Sequence, residues 1–150
     1  FRVPLGKVEV TRSGNDVTLV TYGSTWRVVT DAAKKLEKLG ISSEIIDIQT
    51  LVPFDLSCEI VESVKKTNRL LVIDEDVPGG SSAYILQKIL EEQNAYRFLD
   101  SEPQTLAAKE HRPPYGKDGD YFTKPSSEDV FEKVYSMMNE ANPDQFPSLY

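Results

Sequence analysis

The sequence predicts a three-layer α/β/α domain in which a mostly parallel sheet is covered by helices on both faces. Short apolar runs alternate with amphipathic helical stretches three times between residues 17 and 100, which implies right-handed crossovers between parallel strands. The run Leu70-Leu71-Val72-Ile73 has no polar side, as expected for a strand buried on both faces. The chain of 150 residues fits a single domain of this kind.

The first strand and helix occupy residues 17–40. The β-branched and apolar run from Val17 to Tyr22 ends at Gly23, which predicts a core strand that enters a turn. From Thr25 to Leu39 apolar residues recur at helical spacing. Lysines near the end of this stretch favour a helix C-terminus there, because positive charge stabilises that end of a helix. Gly40 is expected to end the helix.

The same unit then repeats. Residues 43–48 predict a short strand, and Asp55 is suited to N-cap a helix that carries Leu56, Ile60, Val61 and Val64. Residues 69–73 then predict a central, parallel strand. The turn from Pro78 to Ser82 precedes a helix that buries Ile85, Leu86, Ile89 and Leu90, and residues 97–100 predict the next strand.

After residue 100 the periodicity gives way to prolines and glycines, which predict a long loop or extended arm up to Pro125. Ser126 and Asp129 have the spacing of a capping box and predict a last helix that ends near Glu140. The tail, residues 141–150, keeps the apolar side chains Phe146, Leu149 and Tyr150. We expect these side chains to dock on a partner.

Composition excludes several classes of function. The formal net charge of −7 disfavours binding to nucleic acid, and no apolar run is long enough to span a bilayer. A single cysteine excludes an internal disulfide framework and suits a reducing cytosol, so we expect a cytoplasmic protein. The first residue is Phe1 and not Met, and the opening from Phe1 to Gly6 lacks the regions of a signal peptide. We therefore expect that the sequence starts within a longer chain.

In an open α/β sheet, ligand sites lie at the carboxyl ends of the strands. The polar residues expected there are Gly23-Ser24-Thr25, Gln49-Thr50 and Asp74-Glu75-Asp76. Three consecutive acids disfavour a phosphate ligand, and neighbouring carboxylates seldom converge on one metal ion. The sequence therefore predicts a solvated acidic turn at Asp74-Glu75-Asp76 and no metal ligands.

Three further features invite a chemical interpretation. Gly79-Gly80-Ser81-Ser82 resembles a phosphate-binding turn but lacks the spacing of known nucleotide motifs, so a flexible turn with a serine N-cap is favoured. His111 stands beside Glu110, yet no nucleophile is placed with it in sequence. Cys58 falls within a predicted helix and is expected to be a buried or half-buried thiol. The sequence thus predicts no catalytic residue and no cofactor-binding residue.

Several linked motifs resemble one family. They are Val3-Pro4-Leu5-Gly6-Lys7, the run from Asp16 to Gly23, the run from Ile46 to Asp55, the run from Val64 to Glu75, Gly79-Gly80, Pro113-Pro114-Tyr115 and Pro125-Ser126. In order and spacing they are similar to the transketolase C-terminal domain of 2-oxoacid dehydrogenase beta subunits, over about residues 3 to 140. The chain departs from that pattern at Gln49, at Tyr84 and at Lys109-Glu110-His111-Arg112, where the family usually has other residues.

The resemblance implies a mostly parallel five-stranded sheet, with residues 1–15 as the end of an interdomain linker and residues 16–140 as the domain. It also implies a non-catalytic role in assembly and docking. Thiamine diphosphate and magnesium would then be bound by other domains of the parent enzyme, which oxidatively decarboxylates a 2-oxoacid such as pyruvate or a branched-chain acid and passes the acyl group to lipoyl-lysine.

The implied partners are the other domains and subunits of that dehydrogenase, arranged as a homodimer or heterotetramer, and the subunit-binding domain of the acyltransferase. We expect Asp74, Glu75 and Asp76 to steer that basic domain, and the last helix and residues 113–122 to support self-association. Two alternatives remain open: the matching domain of transketolase or deoxyxylulose-phosphate synthase, and a free-standing flavodoxin-like binding module.

Overall fold

The computed structural model describes residues 2–112 and 114–149. Its centre is a five-stranded sheet of order β1-β3-β2-β4-β5. The strands are β1 (Glu9–Arg12), β2 (Val17–Thr21), β3 (Ser43–Asp47), β4 (Leu70–Ile73) and β5 (Gln104–Leu106). Neighbouring strands from β3 through β5 are parallel, and β1 pairs antiparallel with β3 at one edge. The predicted mostly parallel sheet is therefore confirmed, with β4 between two parallel neighbours.

Two helical layers cover the sheet because successive strand residues point to opposite faces. Leu19 and Leu71 face a core shared with α1 (Thr25–Glu37) and α5 (Ser127–Ala141). Val20 and Val72 face a second core built with α2 (Glu59–Thr67) and α3 (Ser81–Gln87), which continues as a π-helical turn over Lys88–Glu92. This arrangement confirms the three-layer prediction.

Local signals at helix ends account for two of the observed boundaries. Gly40 has a φ of +80°, a conformation that glycine adopts freely, and it follows α1 as predicted. At the start of α5 the Asp129 amide donates to Ser126 Oγ over 3.1 Å, and the Ser126 amide donates to Asp129 Oδ2 over 2.7 Å. The predicted capping box is thus confirmed, and α5 ends one residue after Glu140.

The helix expected after Asp55 begins later than its apolar pattern suggested. The Asp55 carboxylate accepts hydrogen bonds from the amides of Glu59 and Ile60, each at 3.0 Å, so it caps α2 from outside the helix. Leu56 therefore lies in the preceding turn, where 70% of it is exposed. Cys58, at a φ of +54°, is exposed in that turn, so the prediction of a buried thiol is wrong.

The strand predicted at residues 97–100 is wrong. Ala95–Phe98 form a 3₁₀ turn, and the Asp100 amide donates to the Asn68 carbonyl oxygen, which lies just before β4. This segment therefore lies at the amino-terminal edge of the sheet, just before the position where a strand parallel to β4 begins. The strand itself is β5, and its Gln104 pairs in register with Leu71. A short helix, α4 (Gly119–Thr123), interrupts the predicted loop.

The two ends of the described chain both join the domain. Residues 9–12 form β1, so part of the segment expected to be a linker belongs to the sheet. Phe146 is 5% exposed and contacts Tyr135 edge-on, with ring centroids 6.2 Å apart. Its burial corrects the prediction that this side chain docks on a partner. Phe1, Pro113 and Tyr150 lie outside the described residues.

None of the helices in the described residues combines the length and the apolar composition that a membrane crossing requires.

Candidate functional site

The carboxyl edge of the parallel strands brings together two of the three predicted groups of polar residues. Tyr22 and Ser24 follow β2, and Asp74 and Glu75 follow β4, so the strand pairing places both loops at the same edge. The Tyr22 hydroxyl donates to Asp74 Oδ1 over 2.7 Å, and the Ser24 hydroxyl donates to Glu75 Oε2 over 2.9 Å. This edge is the candidate functional site.

The third predicted group, Gln49-Thr50, contacts the start of the chain instead. Gln49 Nε2 donates to Glu9 Oε2 over 2.7 Å, and Thr50 Oγ1 accepts from the Gly6 amide over 2.8 Å. These residues fasten the loop after β3 to the segment before β1.

Asp74 is fully buried, so the prediction of a solvated acidic turn is wrong for this residue. Besides Tyr22, its carboxylate accepts from the amides of Asp76 at 3.1 Å and Ser82 at 3.0 Å. The Ser82 amide is one of the unpaired donors in the first turn of α3, where a negative charge also meets the positive end of the helix dipole. Asp74, which follows β4, thus caps the start of α3. Gly80 occupies the N-cap position, where a serine was predicted.

Burial raises the pKa of Tyr22 to about 12. A hydrogen bond with Ser81 opposes this rise, and the hydrogen bond to Asp74 and the charge of Asp74 add to it. At neutral pH the Tyr22 hydroxyl is consequently protonated and donates to Asp74. This pair joins the loop after β2 to the loop after β4.

Glu75 is partly exposed and its charge is compensated. Hydrogen bonds from Ser24 and Lys124 lower its pKa, and the Lys124 Nζ atom lies 3.1 Å from Glu75 Oε2. The same contact raises the pKa of Lys124. Lys124 reaches this edge from the loop after α4, and no spacing in the sequence indicated the pairing. The ion pair ties that loop to the end of β4.

Asp76 is the exposed member of the acidic run. Its Oδ1 atom accepts from the Val77 amide over 2.8 Å. A Cβ atom added to Gly80 would lie 2.4 Å from Asp76 Oδ2, so the carboxylate fills the space beside the glycine pair. A side chain at position 80 would have to displace this carboxylate, which is the free end of an exposed side chain.

This geometry does not fit a diphosphate cofactor. A phosphate group at the Gly79-Gly80 turn would meet the Asp76 carboxylate, which repels it, instead of a cation. Among residues 2–112 and 114–149, no group of three or more His, Cys, Asp or Glu side chains could hold a metal ion. The Gly79-Gly80 turn is therefore a poor fit to a diphosphate group.

His111 stands apart from the carboxyl-edge contacts described above. It is exposed, and its Nδ1 atom lies 2.9 Å from the Arg112 carbonyl oxygen. Nearby, Tyr121 and Phe122 are 62% and 55% exposed, with ring centroids 6.0 Å apart. The region around His111 presents aromatic surface more than a proton-transfer site.

The sheet order, the two helical layers and the carboxyl-edge contacts define an α/β domain that uses its edge carboxylates to join loops. Residues 6–130 match the family model described as the transketolase, C-terminal domain. The chain belongs to this family.

The chain is 36% identical over 135 residues to the pyruvate dehydrogenase E1 component subunit beta of Rhizobium meliloti, covering 89% of this chain and 29% of the relative. It is also 36% identical over 107 residues to the 2-oxoisovalerate dehydrogenase subunit beta of Bacillus subtilis, covering 71% of this chain and 32% of the relative. These relatives favour the dehydrogenase beta subunits over the transketolase alternative.

One solved structure with the same fold is titled split gene transketolase, inactive beta4 tetramer. It superposes with a TM-score of 0.69 at 24% identity, covering 91% of this chain and 42% of that one. The likeness supports the fold. The chain spans between 29% and 42% of the length of the curated relatives that it matches.

Proposed function

We propose that this chain is the non-catalytic assembly and docking domain of the decarboxylating component of a 2-oxoacid dehydrogenase. The observation that carries the proposal is the match to dehydrogenase beta subunits over about nine-tenths of the chain. The carboxyl edge supports it, because Asp74 and Glu75 make contacts that hold loops together. In the full enzyme, a 2-oxoacid is oxidatively decarboxylated and its acyl group passes to lipoyl-lysine.

Thiamine diphosphate and magnesium would be held by other domains of the parent enzyme. The poor fit of the Gly79-Gly80 turn to a phosphate group supports this division of labour. Relatives named for pyruvate and for 2-oxoisovalerate match at the same identity, so either acid is a candidate substrate of the parent enzyme.

The proposed partners are the other subunits of the dehydrogenase and the basic subunit-binding domain of its acyltransferase. Glu75 and Asp76 are the two members of the acidic run that solvent reaches, so the docking role belongs to them and not to buried Asp74. The net charge of −7 supports attraction of a basic partner and argues against nucleic acid. The parent enzyme would be a cytoplasmic dimer or heterotetramer.

The test has two parts. The dehydrogenase that contains this chain is assayed for 2-oxoacid-dependent acylation of a lipoyl domain, with pyruvate and 2-oxoisovalerate as substrates. The 150-residue chain alone is titrated calorimetrically with thiamine diphosphate and magnesium. We expect activity in the first part and no saturable binding in the second. Micromolar binding by the isolated chain would contradict a non-catalytic role.

A further inference from the structure

The segment that follows α5 turns back along this helix and makes a specific contact with it. Tyr135 and Asn139 are four residues apart, so both side chains lie on one face of α5. The Tyr135 hydroxyl donates to the Pro147 carbonyl oxygen over 2.9 Å, and Asn139 Nδ2 donates to the Phe146 carbonyl oxygen over 2.6 Å. One helix face therefore binds two consecutive backbone carbonyl groups.

The ring of Phe146 completes this contact. It is buried in the core and meets the Tyr135 ring edge-on, with ring centroids 6.2 Å apart. Tyr135 is in turn stacked on Phe131, with ring centroids 6.1 Å apart. In known modes of peptide recognition, main-chain hydrogen bonds give affinity and a pocket for one side chain gives specificity. The face of α5 that carries Tyr135 and Asn139 combines both features.

The pair Phe146-Pro147 suits such a face. A proline disfavours helical backbone at the residue before it, so Phe146 is restricted before it docks. A ligand that is restricted beforehand loses less conformational entropy on binding. Tyr135 and Asn139 both lie after residue 130, where the match to the family model ends, so the family pattern does not account for this contact.

The segment is attached loosely. Residues 142–145 are exposed, and the side chains of Asn142 and Gln145 hydrogen-bond each other over 3.1 Å. Phe146 is the one buried residue among residues 142–149. A cavity of about 260 Å³ also remains between α5 and the end of this segment, although a close-packed interior leaves few voids larger than a water molecule. The segment therefore fills the face of α5 incompletely.

We propose that the face of α5 around Tyr135 and Asn139 is a docking site for a polypeptide segment in which phenylalanine precedes proline. Residues 142–149, which we call the strap, occupy this site within the chain and keep it closed. Because the strap buries a single residue, it opens locally while the domain stays folded. The site adds a docking surface to the proposed function and does not depend on it.

The first test uses the 150-residue chain and a synthetic peptide with the sequence of residues 142–149. Phe146→Ala in the chain releases the strap, so the peptide should bind saturably and shift the nuclear magnetic resonance signal of the Asn139 side-chain amide. The unsubstituted chain should bind the peptide at least about tenfold more weakly, because its tethered strap competes at a high effective concentration. Equal affinities for the two chains would overturn the proposal.

Two controls establish the specificity of the site. Phe122→Ala makes the same substitution at a phenylalanine that is 55% exposed, and this chain should bind the peptide as weakly as the unsubstituted one. A peptide that carries alanine in place of Phe146 should not bind the Phe146→Ala chain. If the alanine peptide binds as well as the original, the site does not recognise phenylalanine and the proposal is wrong.

Hydrogen exchange in the unsubstituted chain tests the opening of the strap separately. The Phe146 amide, which donates to the Asn142 carbonyl oxygen, should exchange at least about a hundredfold faster than the Val134 amide within α5. Equal rates would show that the strap unfolds only with the whole domain, and loss of the folded circular dichroism spectrum in Phe146→Ala would show the same. Either result overturns the proposal, as would a dimer that Phe146→Ala abolishes, since a second copy would then supply the strap.

Discussion

The carboxylate of Asp74 joins the end of β2 to the start of α3, because it accepts hydrogen bonds from the Tyr22 hydroxyl and from the Ser82 amide. It also accepts from the Asp76 amide within its own turn. A buried carboxylate is tolerated only when its oxygens find donors, and here each oxygen does. An acidic run read from sequence alone suggests solvent exposure. The burial of Asp74 could not be inferred, because its partners are brought to it by the pairing of β2 with β4.

Asp74→Asn is expected to lower the free energy of unfolding by about 1–3 kcal/mol, because the amide group turns one acceptor into a donor that faces other donors. Urea unfolding monitored by circular dichroism measures the change. Asp144→Asn, in the exposed tail, is the matched control and should change the stability by less than about 0.5 kcal/mol. Equal effects of the two substitutions would show that the Asp74 contacts contribute nothing.

Glu44 is another buried carboxylate, near the opposite edge of the sheet. Its side chain is 4% exposed, it forms an ion pair with Lys66, and its Oε2 atom accepts from the Gly14 amide over 3.1 Å. Burial alone would raise its pKa, but hydrogen bonds from Lys66, Ser63 and Gly14 outweigh burial and lower the pKa from the ordinary value of 4.5. Because the folded-state pKa is the lower one, Glu44 stabilises the fold above the ordinary value and loses this contribution as the pH falls through the folded-state pKa.

Glu44→Gln should therefore reduce the free energy of unfolding by about 1–2 kcal/mol at pH 7, a modest figure because Lys66 is partly solvated. The difference from the unsubstituted chain should shrink as the pH falls below the ordinary glutamate pKa of 4.5 and through the lower folded-state pKa, since protonated glutamate resembles glutamine. Urea titrations at a series of pH values give both quantities. Glu91→Gln, at an exposed position, is the control; a difference that stays constant with pH would contradict the linkage.

At the scale of single elements, features set by neighbouring residues were predicted well. Features set by contacts between residues distant in sequence were not. The Ser126 to Asp129 spacing located the start of α5 because both halves of a capping box lie within one turn. The strand expected at residues 97–100 was wrong because an apolar segment does not reveal how far the chain must travel before it reaches its neighbour. Most apolar residues of α5 are buried in the core that this helix shares with α1, which leaves little apolar surface on the last helix for the expected self-association.

Ser126→Ala should destabilise the fold by about 1 kcal/mol, because it removes the acceptor for the Asp129 amide. Thermal unfolding reports the loss, and Ser126→Thr should restore most of it by returning the hydroxyl. Ser136→Ala makes the same change in the exposed middle of α5 and should not destabilise it, since alanine favours helix interiors. A loss at position 136 as large as that at position 126 would count against the capping role.

For the molecule as a whole, the fold class and the family could be predicted because the alternation of strands and helices and several linked motifs extend along almost the entire chain. The site could be predicted only as a location. The residues that follow β2 and β4 lie at the carboxyl edge as expected, but the partner of Glu75, Lys124, arrives from a distant loop. Exposure of Leu5, Val52 and Leu56 likewise depends on how the loop after β3 meets the start of the chain.

Self-association of the domain remains a prediction, and the structure narrows the surface that would support it. Most apolar side chains of α5 are buried, so the exposed aromatic side chains Tyr115, Tyr121 and Phe122 are the candidates for the contact surface. We expect sedimentation velocity to show a growing dimer fraction as the protein concentration rises. Tyr121→Ser with Phe122→Ser should reduce that fraction, while Tyr96→Ser, which is 73% exposed elsewhere, should not. A strictly monomeric species at high concentration would contradict the prediction.

Charge steering by the carboxyl edge belongs to the whole molecule, because it draws on the net charge of −7 as well as on Glu75 and Asp76. In the full dehydrogenase, association with the acyltransferase subunit-binding domain should slow as salt shortens the Debye length from about 10 Å at 0.1 M to about 3 Å at 1 M. Glu75→Gln with Asp76→Asn should slow association at low salt by about twofold to fivefold, since Lys124 then adds uncompensated positive charge. Stopped-flow fluorescence measures both effects.

The control variant, Glu91→Gln with Asp144→Asn, removes the same two negative charges from exposed positions outside the acidic run. If steering depended only on net charge, both double variants would slow association equally. If steering depends on the field at the carboxyl edge, only the Glu75 and Asp76 variant slows association at low salt. The association rates of the two variants should then converge at 1 M salt, where the Debye length of about 3 Å screens the local field. Rates that are equal and insensitive to salt would rule out this edge as the source of steering and leave the family assignment intact.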